Sequence, residues 1–143
     1  MPPVKIVNDG ADGYITELGY THGYYRELNP LRARLALLKA GLPVPDISTA
    51  CELGFGQGVS LAIHAAASST VWYGNDLNAE HFAFASDLVN AAAVGARLHK
   101  ETFTAFARRS DLPVFDLPSS PSSRKTSESA GRKIVVLPPR IFS

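Results

Sequence analysis

Glu52, Gly54, Gly56, Gly58 and Asp76 are the residues of this 143-residue chain whose types and spacing could do chemistry. The run Ala50-Cys51-Glu52-Leu53-Gly54-Phe55-Gly56-Gln57-Gly58-Val59-Ser60-Leu61 leads from apolar residues through an acid into three alternating glycines, and an alanine-rich stretch follows. That order reads as a strand, a tight loop and the start of a helix. Glycines let a backbone approach a ligand where any Cβ would clash. Asp76 comes 18 residues after Gly58, at the end of a second apolar run, Val71-Trp72-Tyr73-Gly74-Asn75. A carboxylate at such a strand end can accept hydrogen bonds from both hydroxyls of a ribose. The spacing is G-x-G-x-G, not the G-x-G-x-x-G with which dinucleotide enzymes seat a pyrophosphate on a helix N-terminus. Glu52, just before the glycines, would repel a phosphate and attract an ammonium.

The elements that must hold these residues follow from local signals. Asn29-Pro30 opens a helix, with Asn29 as N-cap and Pro30 in the first helical position. Leu31, Leu35 and Leu38 line one face of it, and Gly41 stops it. The first strand is expected over residues 48–53, the glycine loop over 54–58 and a helix over 59–67. A second strand follows over 71–75. Asn78 caps a helix over 79–93 whose apolar face is Phe82, Ala85, Leu88 and Val89. A short third strand over 97–99, a helix or turn within 101–109 and a fourth strand over 113–117 complete the pattern. Strands alternating with helices argue a parallel sheet with crossover helices.

The glycine motif with its flanking acids resembles motif I and the second-strand acid of class I S-adenosylmethionine (SAM) dependent methyltransferases. The resemblance covers roughly residues 9–117. Upstream, Asp12-Gly13-Tyr14-Ile15-Thr16 and Tyr20-Thr21-His22-Gly23-Tyr24-Tyr25-Arg26-Glu27-Leu28 look like the N-terminal segment of a bacterial subgroup that often carries a C-terminal regulatory domain. The resemblance implies a Rossmann-like α/β fold, SAM as cofactor and methyl transfer to a nucleophilic acceptor that the sequence does not name. It also implies the site. Gly54, Phe55, Gly56 and Gly58 would pass under the methionine part, and Glu52 would organise the loop near the cofactor's amino group. Asp76 would hold the ribose and Leu77 would pack on the adenine. Thr102 and Phe103 would recognise the adenine, and Asp116 would face the sulfonium. Tyr14, Tyr20, His22 and Tyr25 could form a lid, because aromatic faces favour cations, or could staple the N-terminal segment to the sheet. His22 could also serve as a base.

Composition bounds the rest. Apolar residues make up 45% and charged residues 19%, which are globular values. A net charge of +1 leaves no nucleic-acid or membrane footprint. The single cysteine, Cys51, excludes an internal disulfide and fits a reducing cytosol, so the cytoplasm is the expected compartment. His64, His81 and His99 show no metal spacing, and no metal is expected. Three segments are expected: an aromatic lead-in over 1–28, a cofactor-binding core over 29–117 and a Ser/Pro-rich disordered tail over 118–143. The abrupt change at Pro118, with only about four strands before it, suggests a fold truncated after the fourth strand. One rival reading is therefore an inactive methyltransferase remnant that binds a cofactor or a partner, with its exposed sheet edge inviting self-association. The other, a nicotinamide-dependent oxidoreductase, is weakened by the glycine spacing and by Glu52.

Overall fold

A single layer of four parallel strands carries the molecule. It is seen in a computed structural model that describes residues 22–119. Tyr14, Tyr20, most of the lead-in segment and all but the first two residues of the expected tail lie outside that range. After a 3-10 turn at Arg26–Leu28 come α1 (Pro30–Lys39), β1 (Thr49–Leu53), α2 (Val59–Ala66), β2 (Val71–Asp76), α3 (Ala79–Ala92), β3 (Ala96–Lys100), α4 (Phe103–Ala107) and β4 (Leu117–Ser119). The sheet order is β3-β2-β1-β4, and every pairing is parallel. The expected α/β class and its alternation of strand and helix are therefore present.

Strand alternation sorts the side chains between the two faces. Ala50 and Trp72 join Phe55, Leu61, Ala62, Ala65, Ala85 and Val89 in a core beneath α2 and α3. Cys51, Leu53 and Tyr73 meet Phe106 of α4 on the other face. Trp72, Phe106 and Leu61 are fully enclosed. Side chains of that size remove enough apolar surface from water to dominate the packing energy.

The caps are those expected. Asn29 Oδ1 accepts from Leu31 N at 2.9 Å. Asn78 Oδ1 accepts from Glu80 N at 2.9 Å and His81 N at 3.2 Å. The leucine face of α1 forms at helical spacing but points outward, with Leu31, Leu35 and Leu38 at 61%, 64% and 66% exposure.

The fourth strand needs correction. Residues 113–116 are irregular, and β4 instead occupies Leu117–Ser119, pairing Leu117, Pro118 and Ser119 with Ala50, Cys51 and Glu52. Pro113 has no N–H to give to a ladder, and Asp116 turns its side chain onto the start of β1 instead of continuing a strand. Pro118 is tolerated because β4 lies at the sheet edge.

Candidate functional site

The glycine loop sits beyond the C-terminal end of β1, where open α/β sheets bind ligands. Gly54, Gly56 and Gly58 all hold positive φ, at 66°, 57° and 69°. L side chains rarely adopt that region, so the glycines are a backbone requirement. Gly54 N and Phe55 N both donate to Asn75 O, at 2.8 and 3.2 Å, and tie the loop to β2.

Each glycine has a separate surrounding. A Cβ on Gly54 would come 3.2 Å from Phe103 Cζ, so Phe103 lies against the first glycine. A Cβ on Gly58 would come 2.6 Å from Ala85 Cβ, so the third glycine lets α3 close on the loop. Among the described residues, a Cβ on Gly56 would meet nothing within 4 Å. Of the three loop glycines, Gly56 is thus the one that the described residues leave open.

Asp76 joins the loop to the next helix. Its Oδ2 accepts from Gly56 N at 2.9 Å, and its Oδ1 accepts from Asn78 N at 2.9 Å. His81 Nδ1 stands 3.5 Å from Oδ1. The Asp76 side chain is 13% exposed and that of His81 6%. The sequence offers His81 only as a structural histidine. The short turn at Leu77-Asn78 is what brings it back over Asp76. Leu77 itself is half-buried beside the carboxylate in sequence.

Glu52 points from β1 toward the α2 and α3 face and is fully buried. Neither carboxyl oxygen has a hydrogen-bond partner among the described residues. Burial pushes its pKa up to about 8, so at neutral pH the group is mostly the uncharged acid. Trp72 Nε1 and both ring nitrogens of His64 are also without partners among the described residues. The His64 and Trp72 rings lie 5.2 Å apart. Burial lowers the His64 pKa to about 4. Burial, and then the neighbouring Glu52, push the Cys51 thiol up, as suits an unreactive core thiol.

Thr102 opens α4, where its Oγ1 accepts from Ala105 N at 3.1 Å. Its hydroxyl hydrogen remains a donor. Asn75 Nδ2 donates to Glu101 O at 3.0 Å, which draws the segment before Thr102 and Phe103 toward the loop. Asp116 does not join them. Its Oδ2 accepts from Ser48 N at 2.9 Å, Thr49 N at 3.0 Å and Thr49 Oγ1 at 3.3 Å. Those partners lie at the start of β1, at the end of the sheet opposite the glycine loop, so the structure does not bring Asp116 together with the other expected site residues. The backbone N–H groups of Thr49 and Ser48 hold its carboxyl below the usual range.

The described part of the lead-in is fastened to the helices. Tyr25 N donates to Ser60 Oγ at 2.6 Å, and Ser60 Oγ donates to Gly23 O at 3.4 Å. The His22 ring lies edge-on to Phe84 at 4.8 Å, and Tyr24 lies edge-on to His64 at 5.4 Å. For residues 22–25 the staple is what the contacts show, although it holds onto α2 and α3 and not onto the sheet. Among the described residues no group of three or more His, Cys, Asp or Glu is placed to hold a metal ion. None of their helices is long and apolar enough to cross a membrane.

No protein-family model matches the chain. It is 34% identical over 110 residues to the uncharacterized protein sll1526 of Synechocystis sp., a match covering 73% of this chain and 22% of that protein. Among solved structures it is similar to PKMT2 from Rickettsia typhi in complex with AdoHcy, with a TM-score of 0.59 and 17% identity over 71% of this chain and 20% of that one. It is also similar to a putative O-methyltransferase from Klebsiella pneumoniae, with a TM-score of 0.51 and 18% identity over 70% of this chain and 45% of that one. A third is the plantazolicin methyltransferase BpumL in complex with SAH, with a TM-score of 0.51 and 16% identity over 66% of this chain and 34% of that one. The chain spans about a fifth of the length of the Synechocystis protein and of PKMT2. At these identities the likeness is one of fold. The chain has the Rossmann-like α/β fold of these methyltransferases, with its glycine loop after β1 and Asp76 as the last residue of β2.

Proposed function

We propose that the chain binds S-adenosylmethionine at the glycine loop and serves methyl transfer to a nucleophilic acceptor. The observation that carries this reading is Gly56. It is held at positive φ with open space where a Cβ would stand, and its N–H is fixed by Asp76. The residues present fit the cofactor. The backbone of 54–58 would lie against its methionine part. Asp76 would offer its remaining lone pairs to the ribose, since a carboxylate can accept about four hydrogen bonds. Leu77, Thr102 and Phe103 would meet the adenine, and Phe103 already packs on Gly54. When bound, SAM supplies an electrophilic methyl group on a sulfonium.

The described residues hold and orient; holding donor and acceptor in line can itself provide much of the rate. Glu52 would organise the loop near the cofactor's amino group. A second reading, a module that binds the cofactor without transferring its methyl, is favoured by one observation. Asp116, the acid expected to face the sulfonium, lies at the opposite end of the sheet.

Calorimetric titration with S-adenosylhomocysteine tests the cofactor site. Wild type should bind. Asp76→Ala should weaken binding by about 1–3 kcal/mol, the scale of lost hydrogen bonds to a charged group. Gly56→Val should abolish it by filling the open space. Full affinity in both variants would rule the loop out as the binding surface. Methyl transfer to candidate acceptors by the loaded protein separates the first reading from the second.

A further inference from the structure

We infer that His81 is a positioning residue of this site, holding the Asp76 carboxylate in the orientation that presents its free lone pairs to a ribose; the inference rests on the cofactor reading above. Three observations carry it. The first is position. His81, Ala85 and Val89 form the buried stripe of α3, at 5%, 0% and 7% exposure. An apolar residue at the head of that stripe would bury with no polar cost, whereas an imidazole must find a partner there.

The second observation is proximity. His81 Nδ1 stands 3.5 Å from Asp76 Oδ1 while the His81 backbone N–H donates to Asn78 Oδ1. A proton on Nδ1, carried by the Nδ1–H tautomer of the neutral ring and by the charged ring, would attract the carboxylate. The third is what the carboxylate already does. Oδ2 is committed to Gly56 N and Oδ1 to Asn78 N, so Asp76 is pulled toward the loop from one side and toward α3 from the other. His81 closes the α3 side. Without it the carboxylate could rotate toward the loop and present a different edge to the ligand. At 3.5 Å the contact is long, and contacts of this kind often tighten only with ligand bound.

The test is calorimetric titration of the full chain with S-adenosylhomocysteine. His81→Leu keeps the size and removes the donor, and it should weaken binding about tenfold. In an Asp76→Ala background the same change should cost nothing further, because the residue it acts through is gone. His81→Asn places an amide near Nδ1 and should recover most of the affinity, whereas His81→Gln places it near Nε2 and should not. Thermal melts of each variant accompany the titrations. Unchanged affinity in a folded His81→Leu protein would overturn the inference, as would an equal loss with and without Asp76. If His81→Leu does not fold, the Asn and Gln variants decide: tighter binding by Asn supports the role, and equal or reversed affinities overturn it. Failure of wild type to bind is a different result, and it would remove the cofactor reading together with what rests on it.

Discussion

Glu52 and His64 set the pH response of this fold in opposite directions. Folded, Glu52 keeps its proton up to about pH 8, whereas an ordinary glutamate sheds it near 4.5. The folded state therefore binds the extra proton, and this contribution to stability is present below 4.5 and lost as pH rises through 8. His64 is lowered from 6.5 to about 4, so the unfolded chain binds the proton instead. Its contribution is present above 6.5 and lost as pH falls through 4. Between 4.5 and 6.5 the two slopes oppose each other, and above 6.5 only that of Glu52 remains. Thermal and denaturant melts should therefore show a plateau near pH 5–6 and a loss of roughly 2 kcal/mol by about pH 8.5. Glu52→Gln should abolish that loss. A wild-type melt that is flat from pH 6.5 to 8.5 would mean that Glu52 has found partners and ionises normally.

At the scale of elements, the sequence was most legible where local chemistry decides structure. Asn29-Pro30 and Asn78 announced their helices because a cap is a bond between near neighbours. The glycine loop was legible because positive φ at alternate residues demands glycine. The misplaced fourth strand shows the limit. Val114-Phe115 is as β-prone as any run in the chain, yet Val114 is 83% exposed and Phe115 packs on Tyr73. What fixes β4 is a long-range bond set from Asp116 to Ser48 and Thr49, and no local pattern encodes that. His81 was hidden for a different reason: its contact with Asp76, five residues back, depends on the turn at Leu77-Asn78 and follows no capping pattern. Asp116→Ala should accordingly destabilise the fold by about 1–2 kcal/mol through lost backbone hydrogen bonds. It should leave S-adenosylhomocysteine affinity unchanged, because the sheet separates it from the loop. Weaker binding with unchanged stability would return Asp116 to the site.

On the scale of the whole molecule, cohesion is uneven. Among the described residues β1 and β2 are paired on both sides and buried on both faces, whereas β3 and β4 form the edges. The α1 helix turns three leucines outward and buries only Pro30. Local opening follows buried apolar contact, so parts of a fold can exchange amide hydrogen well below the global free energy. Native-state hydrogen exchange should therefore rank the amides of Trp72–Asn75 and Ala50–Leu53 slowest, those of α2 and α3 next, and those of α1 fastest. Leu35→Lys should shift the thermal midpoint by no more than about 0.5 kcal/mol allows, since its side chain already stands in water. Repeating the exchange at rising protein concentration tests the sheet edge. Added protection confined to Leu117 and Ser119 would mean that two copies pair along β4, while protection rising in α1 would mean that they meet through the leucines. Protection unchanged at both would show that neither surface associates in this range. If α1 instead exchanges as slowly as β2 in the dilute protein, the sheet is not the seat of stability and the ranking is wrong.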